Sequence, residues 1–513
     1  MKSSIPLLIG MILVTTWACA PESRATESAL LPEEVLVAAA SITSEDYLRK
    51  ISIIAHDSMG GRDTPSPGLE ATATWIASEF KRLGLEPGGD NNSYIQRYEI
   101  EVVSPDLVSS SVEVSGDGYL QFGRDLISPF GVVEDDLGGG VVVLSGSGEP
   151  PPDVVEQIVG KHVIVASMAQ GLDRDSRRFA TNLQRNGALS VIVATDRTDQ
   201  EWERSVRDFT RRTSLRIGRN SGRGGGVSLE VRDRAIEPIL SAHGVDLRTA
   251  RHEGGMVVLE TNSLELHLSL RIEVIDRLSA PNVVGILEGS DPELKEEYVA
   301  FSAHMDHIGI GTPNAQGDTI NNGADDDASG TTTVLEVVEA YASLETKPKR
   351  SMIFLLVSGE EKGLWGSEYF VENPPVPIAR VVADLNADMV GRNWADTIVV
   401  IGKEHSDLGE TLNTVNSAHP ELGMTAIDDP WPEERFYFRS DHYNFARKGV
   451  PVLFFFSGTH DDYHGRDDEV DRIDTEKAAR ISRLIFYLGH EVASRVEPPR
   501  WDPESFRQIV SDP

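Results

Sequence analysis

The chain has 513 residues, more than one compact core of ordinary size needs, so two or more packed units are expected. Hydrophobic residues make up 40% and charged residues 25%, which excludes a polytopic membrane protein and a wholly disordered chain. The formal net charge is −34, from 48 Lys and Arg against 82 Asp and Glu, and such a charge repels phosphate, excluding nucleic acid as a general partner.

Residues 1–18 read as an export signal. Lys2 is their only charge, and residues 5–17 are mostly apolar, too short a run to span a bilayer comfortably as a helix. Cys19, the one cysteine, directly follows Ala18. The arrangement resembles a bacterial lipoprotein signal, in which that cysteine becomes the lipidated first residue. The resemblance implies an exported protein at a bacterial cell envelope, periplasmic or on the outer surface, touching membrane only through lipid at Cys19. A signal cut near Ala20 is the alternative. One cysteine excludes an internal disulfide and a thiolate metal cluster. Residues 19–42 are expected to be a tether.

Residues 43–104 are expected to fold mainly as helix at first. Asp63-Thr-Pro-Ser-Pro-Gly marks a turn, and Ala71, Trp75, Ile76, Phe80 and Leu83 then recur at helical spacing before Gly84. Residues 105–277 differ: short β-branched runs at 141–144, 163–166 and 191–194 alternate with glycine turns, which predicts an inserted β-rich module. Its segment 201–223 holds seven arginines against three acids and reads as a solvated, Gly-rich loop. Residues 278–497 return to strands and helices in alternation. Apolar runs suited to buried strands lie at 283–287, 298–302, 352–357, 381–385, 398–401 and 452–456, with helical patterns at 328–344 and 475–492. This predicts an α/β fold, a mostly parallel sheet with helices on both faces, whose site lies at the carboxyl ends of the strands. Residues 498–513 are expected to be a polar tail.

Polar clusters follow the ends of those strands. Ser302-Ala-His304-Met-Asp306-His307 places an imidazole and a carboxylate two apart, on one face of an extended chain; the carboxylate could fix the tautomer of a metal-bound histidine. Gly323-Ala-Asp325-Asp326-Asp327 sets three mutually repelling acids before a helix, either as a solvated helix start or around a cation. Ser358-Gly-Glu360-Glu361-Lys offers two carboxylates pointing different ways, one for a metal and one as base, or else a surface turn. Asn386-Ala-Asp388 and Tyr463-His464-Gly-Arg-Asp467-Asp468 complete the series. Two histidines and several carboxylates at strand ends suit zinc or manganese. Two-metal sites need a bridging carboxylate, and the Asp triplet is its natural source.

With these residues in order, the sequence resembles the cocatalytic zinc exopeptidases of the aminopeptidase Y and bacterial leucyl aminopeptidase type, clan MH. Ile54-Ala-His-Asp-Ser-Met-Gly-Gly-Arg62 and Gly84-Leu-Glu-Pro87 add to the likeness. The insertion resembles a protease-associated domain at 160–166 and 187–194. The resemblance implies two zinc ions (or other divalent metals) and peptide or protein substrates. It makes Asp326 the bridging ligand, with His304 and Asp388 on one zinc and Glu361 and His464 on the other. Glu360 becomes the general base and Asp306 the group that orients His304. In Phe436-Tyr437-Phe-Arg-Ser440-Asp441-His442, Tyr437 stands where some members place an oxyanion-holding tyrosine; a core aromatic is the other reading. His307, His442 and His460 are left as structural or substrate-side. The reaction expected is removal of N-terminal residues. Carboxypeptidase action aided by Arg435 or Arg439, a single-zinc glutaminyl cyclase and a non-catalytic receptor-like protein stay open as alternatives.

Overall fold

The computed structural model describes residues 31–116, 118–129, 134–168, 171, 174–218, 226–252 and 255–510. The expected signal and Cys19 lie outside the described residues. Among the described residues the strands form two sheets, one of ten strands and one of eight.

The ten-stranded sheet is parallel at its centre. Ser351–Val357, Tyr298–His304, Val381–Ala387 and Val452–Phe456 lie side by side in that order and run the same way. Antiparallel neighbours flank them: Ile272–Leu287 on one side and Thr397–Ile401 on the other. The centre is therefore the parallel sheet the sequence predicts, and the margins are mixed. Every side chain of Ser351–Val357 is buried, because both faces of the sheet are covered. Alternate side chains feed two cores. Val299, Phe301, Phe354 and Leu356 join the core under the helices Gly330–Ser343 and Thr475–Ser494. Ala300, Ile353 and Leu355 join the core that includes Phe370 of Trp365–Glu372 and Phe445 of His442–Arg447. Each large apolar side chain so buried contributes about 1.5–3 kcal/mol. The helix Thr475–Ser494 comes close to the sheet through Gly489, where a Cβ would lie 2.4 Å from Phe301. Any larger residue there would push the helix off the sheet.

The helices begin where their caps dictate. Thr43 accepts from the Asp46 amide ahead of Ser44–Ile54, and Ser66 accepts from the Leu69 amide ahead of Pro67–Arg82. Two stretches read as unstructured are folded. Glu33–Ser41, within the expected tether, is a helix that buries Val35, Ala38 and Ala39 in the core. Leu36 and Val37 stay exposed, so no clean apolar period marks the helix in the sequence. In the expected tail, Pro503–Ile509 is a helix whose Ile509 is buried, and Trp501 donates to the Gly449 carbonyl (2.8 Å).

The insertion leaves and returns through one ladder. Ile95–Pro105 pairs antiparallel with Ile272–Leu287, with Pro105 opposite Ile272. Between them the chain builds the eight-stranded sheet together with helices such as Arg174–Arg185 and Asp199–Thr210, so it is more helical than the sequence suggests. One of its short strands, Ser214–Arg216, pairs back onto 101–103 of the first sheet, and Arg216 bonds Glu101 (2.9 Å). Of the arginine-rich segment, residues 201–210 belong to the helix Asp199–Thr210 rather than to a loop, because Trp202 and Phe209 are buried there, and residues 219–223 lie outside the described residues.

Candidate metal centre

The parallel order brings the polar clusters to one edge. His304 ends its strand, Glu360 and Glu361 follow Ser351–Val357, and Asp388 follows Val381–Ala387. Asp326 precedes the helix Gly330–Ser343, and His464 lies in the loop after Val452–Phe456. None of the triplet is solvated: Asp325, Asp326 and Asp327 are 0%, 3% and 0% exposed, which rules out the solvated helix start.

Donor atoms converge on the two oxygens of Asp326. On one side, His304 Nε2 lies 3.3 Å from Asp326 Oδ1 and 3.5 Å from Asp388 Oδ1. On the other, His464 Nε2 lies 3.2 Å from both Asp326 Oδ2 and Glu361 Oε2. His304, Asp326 and Asp388 form one group of donor atoms within 4.8 Å of one another; His307, Asp326 and Glu361 form a second. The structure thus brings together all five residues expected as ligands. It also brings in His307, which the sequence reading set aside. The His460 side chain is 4% exposed with Nε2 3.3 Å from Asp325 Oδ2, and His442 is buried with its ring stacked on Phe454 (4.6 Å).

A shell of hydrogen bonds fixes these groups. The nearest partner of His304 Nδ1 is the Asp306 carbonyl (3.1 Å), with the Asp306 carboxylate at 3.7 Å. That carboxylate instead accepts from Thr64 Oγ1 (2.9 Å) and the Glu360 amide (3.3 Å). Asp306 therefore orients His304 chiefly through its backbone, while its side chain sets the loop that carries Glu360. Asp327 accepts from the amides of His304, Gly330 and Met389, stitching three elements together. Asp468 accepts from the amides of Asp325 and Asp326. Ser440 Oγ donates to Asp388 Oδ2 (2.8 Å). Arg62, fully buried, donates to the carbonyls of Met305, Ile54, Asn322 and Gly323. Of these supports, Asp306, Asp468 and the acids beside Asp326 carried a sequence signal.

The electrostatics call for cations. Burial alone would lower the His304 imidazole, but Asp388 and Asp327 hold it well above the ordinary histidine value. Burial also opposes the charge on His464, yet Asp326 and Glu361 lift it to about 10. Burial pushes the Glu360 carboxyl well above the glutamate range, with Asp441 and Asp388 adding repulsion. Glu361 Oε1 and both His307 ring nitrogens are buried without a hydrogen-bond partner. Imidazole nitrogens and carboxylate oxygens at these separations fit zinc, which would satisfy the orphaned atoms and the surplus of acid.

Beside the centre opens a recess whose lining includes His304, Asp326, Glu360 and Asp388 together with Phe436, Phe454 and Phe456. Tyr437 is not among its lining residues. Its ring packs against His405 (4.5 Å) and His442 (5.3 Å), and its buried hydroxyl has no partner. It is the core aromatic, because the turn Phe436–Phe438 sends Phe436 toward the recess and Tyr437 inward. Tyr463 lines the recess instead, stacked on His464 (3.9 Å). Burial and then Asp326 and Glu361 raise its phenol, keeping it a proton donor. Arg439 is at the recess; Arg435 is not among its lining residues.

Residues 282–489 match the model of Peptidase family M28. The match lies wholly within the α/β domain and supports a zinc exopeptidase family for it. A "probable leucine aminopeptidase" of Arthroderma benhamiae is 29% identical over 221 residues, 42% of this chain and 58% of that protein. One of Trichophyton verrucosum is 30% identical over the same shares. The chain thus spans little more than half the length of these curated relatives. The solved aminopeptidase from Aneurinibacillus sp. strain AM-1 shares the fold at 16% identity and a TM-score of 0.50, over 91% of this chain and 98% of that one.

Proposed function

We propose that the protein is an exported dizinc aminopeptidase, anchored through Cys19, that removes N-terminal residues from peptides. The observation that carries this reading is the pair of donor groups meeting on the two oxygens of Asp326 beside a recess lined by Glu360. His304 and Asp388 would hold one ion and Glu361 and His464 the other, with Asp326 between them. Bound there, two zinc ions would supply Lewis acidity for the scissile carbonyl and a water acidic enough to ionise near neutral pH.

The chain's own residues supply the rest. Glu360 accepts a proton from the attacking water and returns it to the leaving amine. Its carboxyl is raised by burial, which makes the ionised form a stronger proton acceptor and lets the acid form hold the proton until the amine takes it. Asp306 and Thr64 hold its loop in place. Tyr463 donates to the developing oxyanion, the role the family resemblance implies for Tyr437. Phe436, Phe454 and Phe456 receive an apolar side chain. On its sequence resemblance, we assign the insertion to the protease-associated domains.

Glu360→Gln is expected to bind zinc as the wild type does and to lower kcat on aminoacyl-nitroanilides by about 100-fold or more, the scale of general-base catalysis. Near-normal turnover would refute the assignment. Arg439 in the recess favours one second reading, a carboxypeptidase that binds a substrate carboxylate. Hydrolysis of N-blocked, but not C-amidated, dipeptides would select it.

A further inference from the structure

We propose that His307 is a metal ligand in its own right, so that the ion position shared by Asp326, Glu361 and His464 has four protein donors. The inference rests on the dizinc reading and goes beyond the ligand set that reading uses. His307 is 0% exposed, and both its ring nitrogens lack a hydrogen-bond partner. Nδ1 lies 2.9 Å from Glu361 Oε1, itself a buried orphan, and 3.6 Å from Asp326 Oδ2. His307, Asp326 and Glu361 offer donor atoms within 4.8 Å of one another, close enough to share one ion.

The distances fit shared coordination. Ligands bound tetrahedrally at about 2.0–2.1 Å stand about 3.3 Å apart. The contacts of His307 at 2.9 and 3.6 Å and those of His464 at 3.2 Å bracket that value. The two rings flank the same carboxylates, 5.7 Å apart and tilted by 69°. His307 is also locked in place. Its amide donates to the Arg62 carbonyl, and Gly323 lies so close that a Cβ there would meet the ring at 2.5 Å. His464, by contrast, is 38% exposed.

The two positions then differ in kind. His304, Asp326 and Asp388 give three donors and leave a place for water or substrate, as catalytic zinc sites do. His307, His464, Asp326 and Glu361 give four and close the shell, as structural sites do. The closed position is expected to load first and to release its ion last.

The test is zinc titration of the metal-free full-length protein, with X-ray absorption of the fully loaded wild type. The wild type is expected to bind two ions in a tight and a weaker class, and the absorption spectrum to fit three imidazoles shared by two ions. His307→Ala is expected to weaken the tight class by more than about 100-fold, beyond the 10–100-fold cost of losing an outer-sphere partner. His464→Ala is expected to retain that class in weakened form, and the double variant to lose it. A spectrum that fits two imidazoles for two ions overturns the proposal, and it does so even where His307→Ala fails to fold. A loss of 100-fold or less in a folded His307→Ala protein also overturns it. Fewer than two ions on the wild type would instead refute the dizinc reading itself.

Discussion

Replacing Arg62 with methionine tests whether the metal-binding loops are held from behind. The guanidinium is fully buried and its four bonds, at 2.6–3.0 Å, tie the Ile54 carbonyl to the loops carrying His304 and Asp326. Burial pulls it down to about 10, against the pull of Asp306 and Asp326, so it is charged at neutral pH. Methionine fills most of the space but leaves the carbonyls of Met305, Ile54 and Asn322 without this donor, while Gly323 keeps its bond from the Ala328 amide. At about 1–3 kcal/mol for each orphaned group, the gross loss is roughly 3–9 kcal/mol. Removing a buried charge returns several kcal/mol of desolvation, so a net loss of about 3–5 kcal/mol is expected. In a domain of this size that lowers the melting temperature by on the order of 10 °C. Calorimetry of the metal-free protein, which separates the two sheet domains if they unfold apart, reads the shift. Arg62→Lys keeps the charge but not the planar fork, so it is expected to recover only a minor part. A methionine variant within about 1 kcal/mol of wild type would refute the reasoning, since one unsatisfied carbonyl alone costs that much. Full rescue by lysine would show that charge, not the bonded fork, does the holding.

Three further outcomes follow from the site. Tyr463→Phe is expected to lower kcat by about 100-fold, the cost of one oxyanion donor, while Tyr437→Phe leaves it nearly unchanged; steady-state kinetics on aminoacyl-nitroanilides with the opposite ranking would restore the original assignment. Arg439→Ala is expected to change kcat/KM on those substrates by no more than about threefold, the worth of an exposed charge, and a large loss confined to substrates with a free carboxylate would support the carboxypeptidase reading. Burial pulls His442 down to about 3 in the folded chain, whereas the unfolded chain binds its proton near 6.5. Its contribution is complete above pH 6.5 and is lost as pH falls toward 3, about 2 kcal/mol of it by pH 5. Urea unfolding of the metal-free protein at pH 7 and 5 should show this loss reduced in His442→Phe; an identical pH dependence in both proteins would refute it.

What the sequence made legible, and what it hid, divides along one physical line. Strands buried on both faces leave near-continuous apolar runs, and a parallel sheet must present its loops at one edge. His304, Asp326, Glu361, Asp388 and His464 stand out because each is a polar residue at or beyond such a run. The supports are hidden because each is a polar residue whose partner is distant. Thr64 reaches Asp306 across 242 residues, and Arg62 reaches the Gly323 carbonyl across 261. Tyr437 lies off the recess for a related reason: the motif fixes its position in the chain, but the direction of a side chain in a one-turn helix is set by what packs around it. The helix Glu33–Ser41 was hidden by composition rather than distance, since alanine-rich, Glu-containing sequence serves a linker and a docked helix equally well.

The Asp triplet shows how the two kinds of information join. Three adjacent acids are unstable together in a buried place, and sequence alone leaves solvation or a cation as the two ways out. The structure assigns each acid a different environment. Asp327 is neutralised by three backbone amides and Asp325 is bonded to the Gly391 amide with His460 beside it. Asp326 keeps both oxygens turned toward imidazoles and carboxylates, with a backbone bond only through its own amide to Asp468. The flanking acids therefore serve the backbone, and only the middle one has its carboxylate free to bridge two cations.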